Sequence, residues 1–248
     1  MEVYNFTISN TQQSASSDVN EWCNQLTVLL GNLEFLKKSF LQVCVAVVYP
    51  KSTLLPKALF KEDDKTIWLT FNHPVADYEI CRMDELPSAS AVMLYAVPGN
   101  ILSTLTTAFP GSTILNASGQ LISSLLFATQ EVARDKVLYA HVQGAWLELI
   151  YLEEGKLKYF NVFLYQTRED LAYYVIFVIE QLGLNPDTII LVLLGDIERE
   201  SDHFELLYRY IRNIRLIDNS IMIDRGQKAT GIPFHTYFNL INFAKCGS

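Results

Sequence analysis

The sequence predicts an α/β protein with mixed sheets, built as two successive units that repeat one order of elements. Three observations predict it. Hairpin-like strand pairs come early in each half. Helices then alternate with strands, as the crossovers of a partly parallel sheet require. An apolar strand ending at Leu194 runs through Gly195 and Asp196 into an amphipathic helix. A chain of 248 residues can form two units of about 120 residues, each burying its own core. The polar run Ala133-Arg134-Asp135-Lys136 places the division between residues 1–134 and 135–248.

In the first half, residues 3–9 alternate like a short strand and the Ser/Asn/Gln-rich residues 10–20 read as a loop. A helix over 18–38 follows from the near-helical spacing of Trp22, Leu26, Leu29, Leu30, Leu33 and Leu36, although Gly31 weakens its middle. Strands are predicted at 42–49, 66–72 and 78–83, with the acidic residues 61–65 as an exposed turn. Next come a strand at 91–97, a helix from about Pro98, a strand at 112–116 and a helix at 119–133.

The second half opens with strands at 137–143, 145–152 and 156–164. Glu153-Glu154-Gly155 forms a tight turn whose glycine suits a positive φ. Thr167 is a helix N-cap with Asp170 three residues on, and Leu171, Tyr174, Val175, Val178, Ile179 and Leu182 form the apolar stripe that Gly183 ends. Tyr173, Ile176 and Phe177 make the other side apolar too, so this helix reads as a central packing element. A turn at Asn185-Pro186-Asp187, a strand at 188–194, a helix at 201–213 and a strand at 214–218 complete the alternation. The aromatic segment from Pro233 to Phe243 reads as a terminal helix closing this half.

Composition narrows the function. Lys+Arg number 19 against 27 Asp+Glu, and a net charge of −8 opposes a phosphate backbone, so nucleic acid is not an expected partner. Cys23, Cys44, Cys81 and Cys246 are far apart and offer neither a zinc quartet nor a redox pair. Reduced thiols, together with an N-terminus that lacks a basic start and an apolar run, lead us to expect a cytoplasmic protein. The longest apolar run, 171–179, is about half of a membrane span, so no membrane association is expected.

Three stretches carry a resemblance. Ser52 to Phe60 (STLLPKALF), Phe160 to Leu184 (FNVFLYQTREDLAYYVIFVIEQLGL) and the Leu-Leu-Gly-Asp turn at 193–196 resemble a Bacteroidetes protein family of unknown function. That family is assigned an actin-like ATPase, or ribonuclease H-like, fold. The resemblance implies two such subdomains in tandem with a cleft between them, and supplies no activity. Active actin-like ATPases carry an acidic residue followed by glycine at the first hairpin of each half, and a glycine pair after a later strand. Here the second-half hairpin has His141, Val142 and Gln143 before Gly144, with no carboxylate, and the later strand keeps Gly195 followed by Asp196. Asn10-Thr11-Gln12 after the opening strand also lacks an acid. The resemblance therefore implies a degenerate nucleotide cleft, with His141, Gln143, Gly144, Gly195 and Asp196 as its candidate residues.

No other motif competes. The loop holding Asp196, Glu198, Glu200, Asp202 and His203 is rich in ligand atoms, but it does not fit the spacing of a calcium loop, and Asp202 and Glu205 sit where acids favour a helix start. No metal site and no catalytic residue are assigned. Ser201-Asp202-His203 has the residue types of a triad, yet adjacent side chains at one helix start cannot form a relay. There is no phosphate loop, dinucleotide fingerprint or nucleophile elbow.

Without carboxylates to organise magnesium and phosphate, hydrolysis loses the positioning and charge neutralisation on which phosphoryl transfer depends. The expectation is a non-catalytic binding or scaffolding module that needs no cofactor. With 13 Tyr and 14 Phe, it has enough aromatic surface for a protein partner or a homodimer. The alternative is a nucleotide-binding protein, or a slow Mg-dependent ATPase, that uses the interdomain cleft with ATP and magnesium.

Overall fold

The computed structural model describes residues 17–129, 136–218 and 233–243. The predicted strand at 3–9, the Asn10-Thr11-Gln12 turn, the division between 134 and 135, and Cys246 lie outside these residues. Two compact units form, one up to Gly119 and the other from Gln120 to Phe243.

The first unit begins with α1 (Ser17–Asn32) and a single 3₁₀ turn at Glu34–Lys37. Strand β1 (Cys44–Val47) pairs in parallel with β5 (Thr113–Asn116). A separate three-stranded sheet is antiparallel, with β4 (Ala91–Pro98) between β2 (Ser52–Pro56) and β3 (Glu79–Leu86). Every residue of β4 is buried, and Val92, Leu94 and Ala96 pack under Leu69 of helix α2 (Lys65–Asn72). Helix α3 (Gly99–Ala108) follows β4 and packs on α1. Helix α4 (Ala117–Thr129) follows β5 and carries the chain into the second unit, which begins at Gln120.

Two elements here differ from expectation. Residues 66–72, predicted as a strand, form α2, in which only Leu69 is buried while Ile67 and Phe71 are 65% and 83% exposed. The acids Glu62, Asp63 and Asp64 precede this helix and favour its positive N-terminal end, which outweighs the β preference of its side chains. Strand β2 is new, and it coincides with the Ser52 to Phe60 stretch that carried the family resemblance.

In the second unit one five-stranded sheet has the order β10-β9-β6-β7-β8. Its members are β6 (Lys136–Gln143), β7 (Trp146–Glu153), β8 (Lys156–Leu164), β9 (Ile190–Gly195) and β10 (Asn213–Leu216). The first three form an antiparallel meander, while β6, β9 and β10 run in parallel. Helices α5 (Arg168–Gln181) and α6 (Asp202–Tyr208) cover one face, where Leu138, Leu149, Val175, Leu191, Leu193 and Leu207 share a core. The other face is buried as well, through Tyr139, Ile150, Val192 and Leu194, and α7 (Phe234–Phe243) packs on β9. Burial on both faces explains why β9 reads as an unbroken apolar run.

The local signals of this half are realised in detail. The Thr167 hydroxyl accepts from the Asp170 amide at 3.1 Å, and the Asp170 carboxylate accepts from the Thr167 amide at 2.9 Å, closing a capping box on α5. Beyond α5, Gly183 takes a φ of +63° and sends the Leu184 amide back to Ile179. Among the described residues no helix is long and apolar enough to cross a membrane.

Candidate functional site

The five candidate residues all fall in the second unit, where the sheet brings them together at one end of β6 and β9. Gln143 and Trp146 are paired, so Gly144 and Ala145 make a two-residue hairpin, and Gly144 supplies the positive φ of +56° that its first position calls for. The parallel pairing of β6 with β9 sets Val142 beside Gly195. Gly195 is buried with a φ of +88°, and a Cβ there would lie 2.0 Å from the Val142 carbonyl oxygen and 2.9 Å from His141 Cδ2. No other residue fits this crossing of β9 over the hairpin base.

From Gly195 the chain turns so that Asp196 reaches the hairpin twice. Its amide donates to the Val142 carbonyl at 2.7 Å, and its carboxylate accepts the Gly144 amide at 3.0 Å. The Gly144 carbonyl is used as well, accepting from the Tyr165 hydroxyl at 2.8 Å. Burial, and then the negative charge of Asp196, push the Tyr165 phenol up, so it remains a neutral donor at neutral pH. Both backbone polar groups of Gly144 are thus satisfied by the protein itself, and the Ala145 carbonyl accepts from the Tyr165 amide at 3.0 Å.

His141 takes no part in these bonds. It is buried, with Nδ1 2.7 Å from Glu148 Oε2, and the two residues are direct cross-strand neighbours. Gln143 ends β6 half-exposed. Tyr165 and Glu148 are the residues that sequence reasoning missed. Glu148 was recoverable, because a two-residue turn at Gly144-Ala145 sets it opposite His141. For Tyr165, one aromatic in an apolar run, the sequence held no signal.

Part of the acidic loop after Asp196 is spent on local structure, while Glu198 and Glu200 are exposed. The Ser201 hydroxyl donates to the Glu198 carbonyl at 2.7 Å and caps α6 by accepting from the Phe204 amide at 3.3 Å. Asp202 and Glu205 lie in the first turn of α6, and Asp202 pairs with Arg168 at 3.2 Å. The His203 ring meets Tyr165 edge-on at 6.0 Å. Among the described residues no three His, Cys, Asp or Glu side chains gather to hold a metal ion. The hairpin tip therefore offers one exposed carboxylate, Asp196, already holding a donor, and among the described residues of the site no nucleophile has an adjacent base.

A family model described as "Protein of unknown function (DUF3822)" matches residues 3–214. The chain belongs to this family. Among solved structures, it is similar to a Bacteroides thetaiotaomicron protein with an actin-like ATPase fold and unknown function, at 20% identity and a TM-score of 0.78, over 90% of this chain and 81% of that one. It is also similar to a chain of the PilM-PilN type IV pilus biogenesis complex, at 13% identity and a TM-score of 0.57, over 91% and 84% respectively. No curated protein matches. At these identities the likeness shows the fold, and this DUF3822 member has the actin-like ATPase fold, with mixed α/β sheets, that its sequence predicted.

Proposed function

We propose that this protein is a non-catalytic binding module on a degenerate actin-like ATPase fold, acting in the cytoplasm by holding a protein partner. The observation that carries this reading is the Asp196 carboxylate seated 3.0 Å from the Gly144 amide. The resemblance puts phosphate at this hairpin, and a phosphate there needs free donors and an absence of fixed negative charge. Asp196 takes the Gly144 donor and adds the charge. Gln143, which directly precedes Gly144, supplies no carboxylate at the tip, and His141 is paired with Glu148.

Support for a partner comes from the PilM-PilN complex, where a protein of this fold is found in a complex with another protein. The exposed Tyr173, Tyr208 and Tyr210 are consistent with it, since aromatic side chains dominate interface energetics.

The test is thermal unfolding with and without millimolar Mg-ATP and Mg-ADP, beside recovery of partners from the native cytosol. A nucleotide at about 100 times its dissociation constant would add roughly 2.7 kcal/mol and raise the midpoint by several degrees. We expect no rise with either nucleotide and a stoichiometric protein in the recovered complex. A reproducible rise would overturn the reading in favour of a nucleotide-binding protein or slow Mg-dependent ATPase.

A further inference from the structure

Strand β8 ends the five-stranded sheet, and among the described residues β7 is its one strand neighbour. The Val162 amide bonds to the Asn161 side chain at 2.9 Å, so it points away from β7. Alternation along the strand turns the backbone groups of Phe160 and Leu164 the same way. A nine-residue edge of this kind is a template for another strand unless something blunts it. Here Asn161 covers one donor, while Leu164 is left 48% exposed.

The opposite face of the strand adds apolar surface shared with the neighbouring helix. Phe163 stacks on Tyr174 of α5 with ring centres 4.6 Å apart, and Tyr173 stacks on Phe177 at 6.0 Å, both of them exposed. The start of the strand is different in character. Lys156 and Lys158 are exposed, and among the described residues neither forms an ion pair within 4.0 Å; the nearby Glu153 is held by Lys136 at 3.1 Å, with Lys158 adding a weaker attraction to it. The register also shifts between Tyr151 and Leu152, which ends the regular pairing run just before Tyr159. In a chain of net charge −8, this edge joins an apolar half to a basic end.

We propose that β8 is the docking edge for an extended segment of a partner protein. The segment adds as an antiparallel strand, apolar at alternate positions along Phe160 to Leu164 and acidic beside Lys158 and Lys156. Backbone hydrogen bonds supply affinity and the charge pattern selects the partner. Charge complementarity favours such a segment over a second copy of this chain, because β8 contains no carboxylate to meet the two lysines. The inference rests on the proposed reading only in taking the partner to be a protein.

The test uses the full chain and a fluorescein-labelled eight-residue peptide, with two valines and then two glutamates at its even positions and threonine between them. A control peptide carries lysines for the glutamates. Fluorescence anisotropy should show the glutamate peptide binding about tenfold more tightly than the control. The double substitution Lys156→Glu with Lys158→Glu should reverse that order. Val162→Pro removes an outward N–H and spares the β7 ladder, so it should weaken the glutamate peptide about tenfold with an unchanged far-ultraviolet spectrum. Should that variant misfold, a glutamate peptide N-methylated at alternate residues gives the same readout on the wild type.

Equal binding of the two peptides, no binding of either at millimolar concentration, or indifference to both backbone blocks would overturn the proposal. Concentration-dependent dimerisation that Val162→Pro abolishes would also overturn it, by giving the edge to a second copy. None of these outcomes alters the nucleotide test, so this proposal and the proposed function fail separately.

Discussion

The amide of Gly144 and the carboxylate of Asp196 are joined by a 3.0 Å hydrogen bond across 52 positions of sequence. This bond ties the end of β9 to the tip of the β6–β7 hairpin. An ionised acceptor makes it stronger than a neutral one, while its exposure to water keeps the net contribution small. Replacing Asp196 with Ala should cost about 1 kcal/mol, and Asp196→Asn, which keeps an acceptor oxygen, about half of that. Urea unfolding of the two variants checks it. Wild-type stability in both would show that the tie contributes nothing.

Gly195 tolerates no side chain. The Cβ of an alanine would meet the Val142 carbonyl oxygen at 2.0 Å on a backbone whose φ is +88°. The contact is with backbone, so nothing can swing aside, and either the hairpin or β9 must move. Gly195→Ala should cost at least ~2 kcal/mol, whereas Gly144→Ala, with open space around its Cβ and only the φ of +56° against it, should cost about 1 kcal/mol. Chemical denaturation that ranks the two in the opposite order would contradict this assignment of the strain.

The second unit was legible because its signals are local. The capping box at Thr167 and Asp170, the glycines at 155 and 183, and the tight turns that join β6, β7 and β8 each act within a few residues, and each is realised where the sequence put it. The first unit was less so. In α2 the side chains of Ile67, Leu69 and Phe71 alternate as in a strand, and the choice of helix depends on the acids before it and the sheet beneath Leu69. For the candidate site, the sequence supplied Gly144, Gly195 and Asp196 as two separate groups. Their contact is a matter of β6–β9 register, and the Tyr165 hydroxyl on Gly144 depends on how the chain turns into α5. Neither is encoded by spacing.

The second hairpin contains a correctable strain. Glu154 and Gly155 both have positive φ, +52° and +67°, between the paired residues Glu153 and Lys156. This is the pattern of a type I′ turn, whose first position favours asparagine or glycine over a long side chain. Exposed Glu154 makes no hydrogen bond or ion pair among the described residues that would compensate. Glu154→Asn should therefore stabilise the protein by about 0.5–1 kcal/mol, measured as a rise in the urea midpoint at unchanged slope. A fall in the midpoint would mean that the carboxylate contributes something its surroundings do not reveal.

Glu79 should give the first unit an acid-sensitive component of stability. Its side chain is fully buried, with Lys51 Nζ 2.8 Å from both carboxylate oxygens and the Ala76 amide at 2.7 Å, while the Tyr49 hydroxyl also donates to it. Burial pushes the carboxyl up, but the hydrogen bonds from Lys51, Tyr49 and Ala76 together hold it below the ordinary value of 4.5. With the folded value depressed, the unfolded chain binds the proton more readily. The contribution is therefore present above about pH 4.5 and disappears as the pH falls through the folded value. Asp84 titrates in the opposite sense, because burial lifts its carboxyl above the ordinary 3.8, so the pH profile of the wild type alone mixes the two. The difference between wild type and Glu79→Gln separates them. It should be about 2 kcal/mol at neutral pH and shrink steadily below pH 4.5, since the wild type then loses what the variant never had. A difference that stays constant down to pH 3 would show that Glu79 acts through packing and not through its charge.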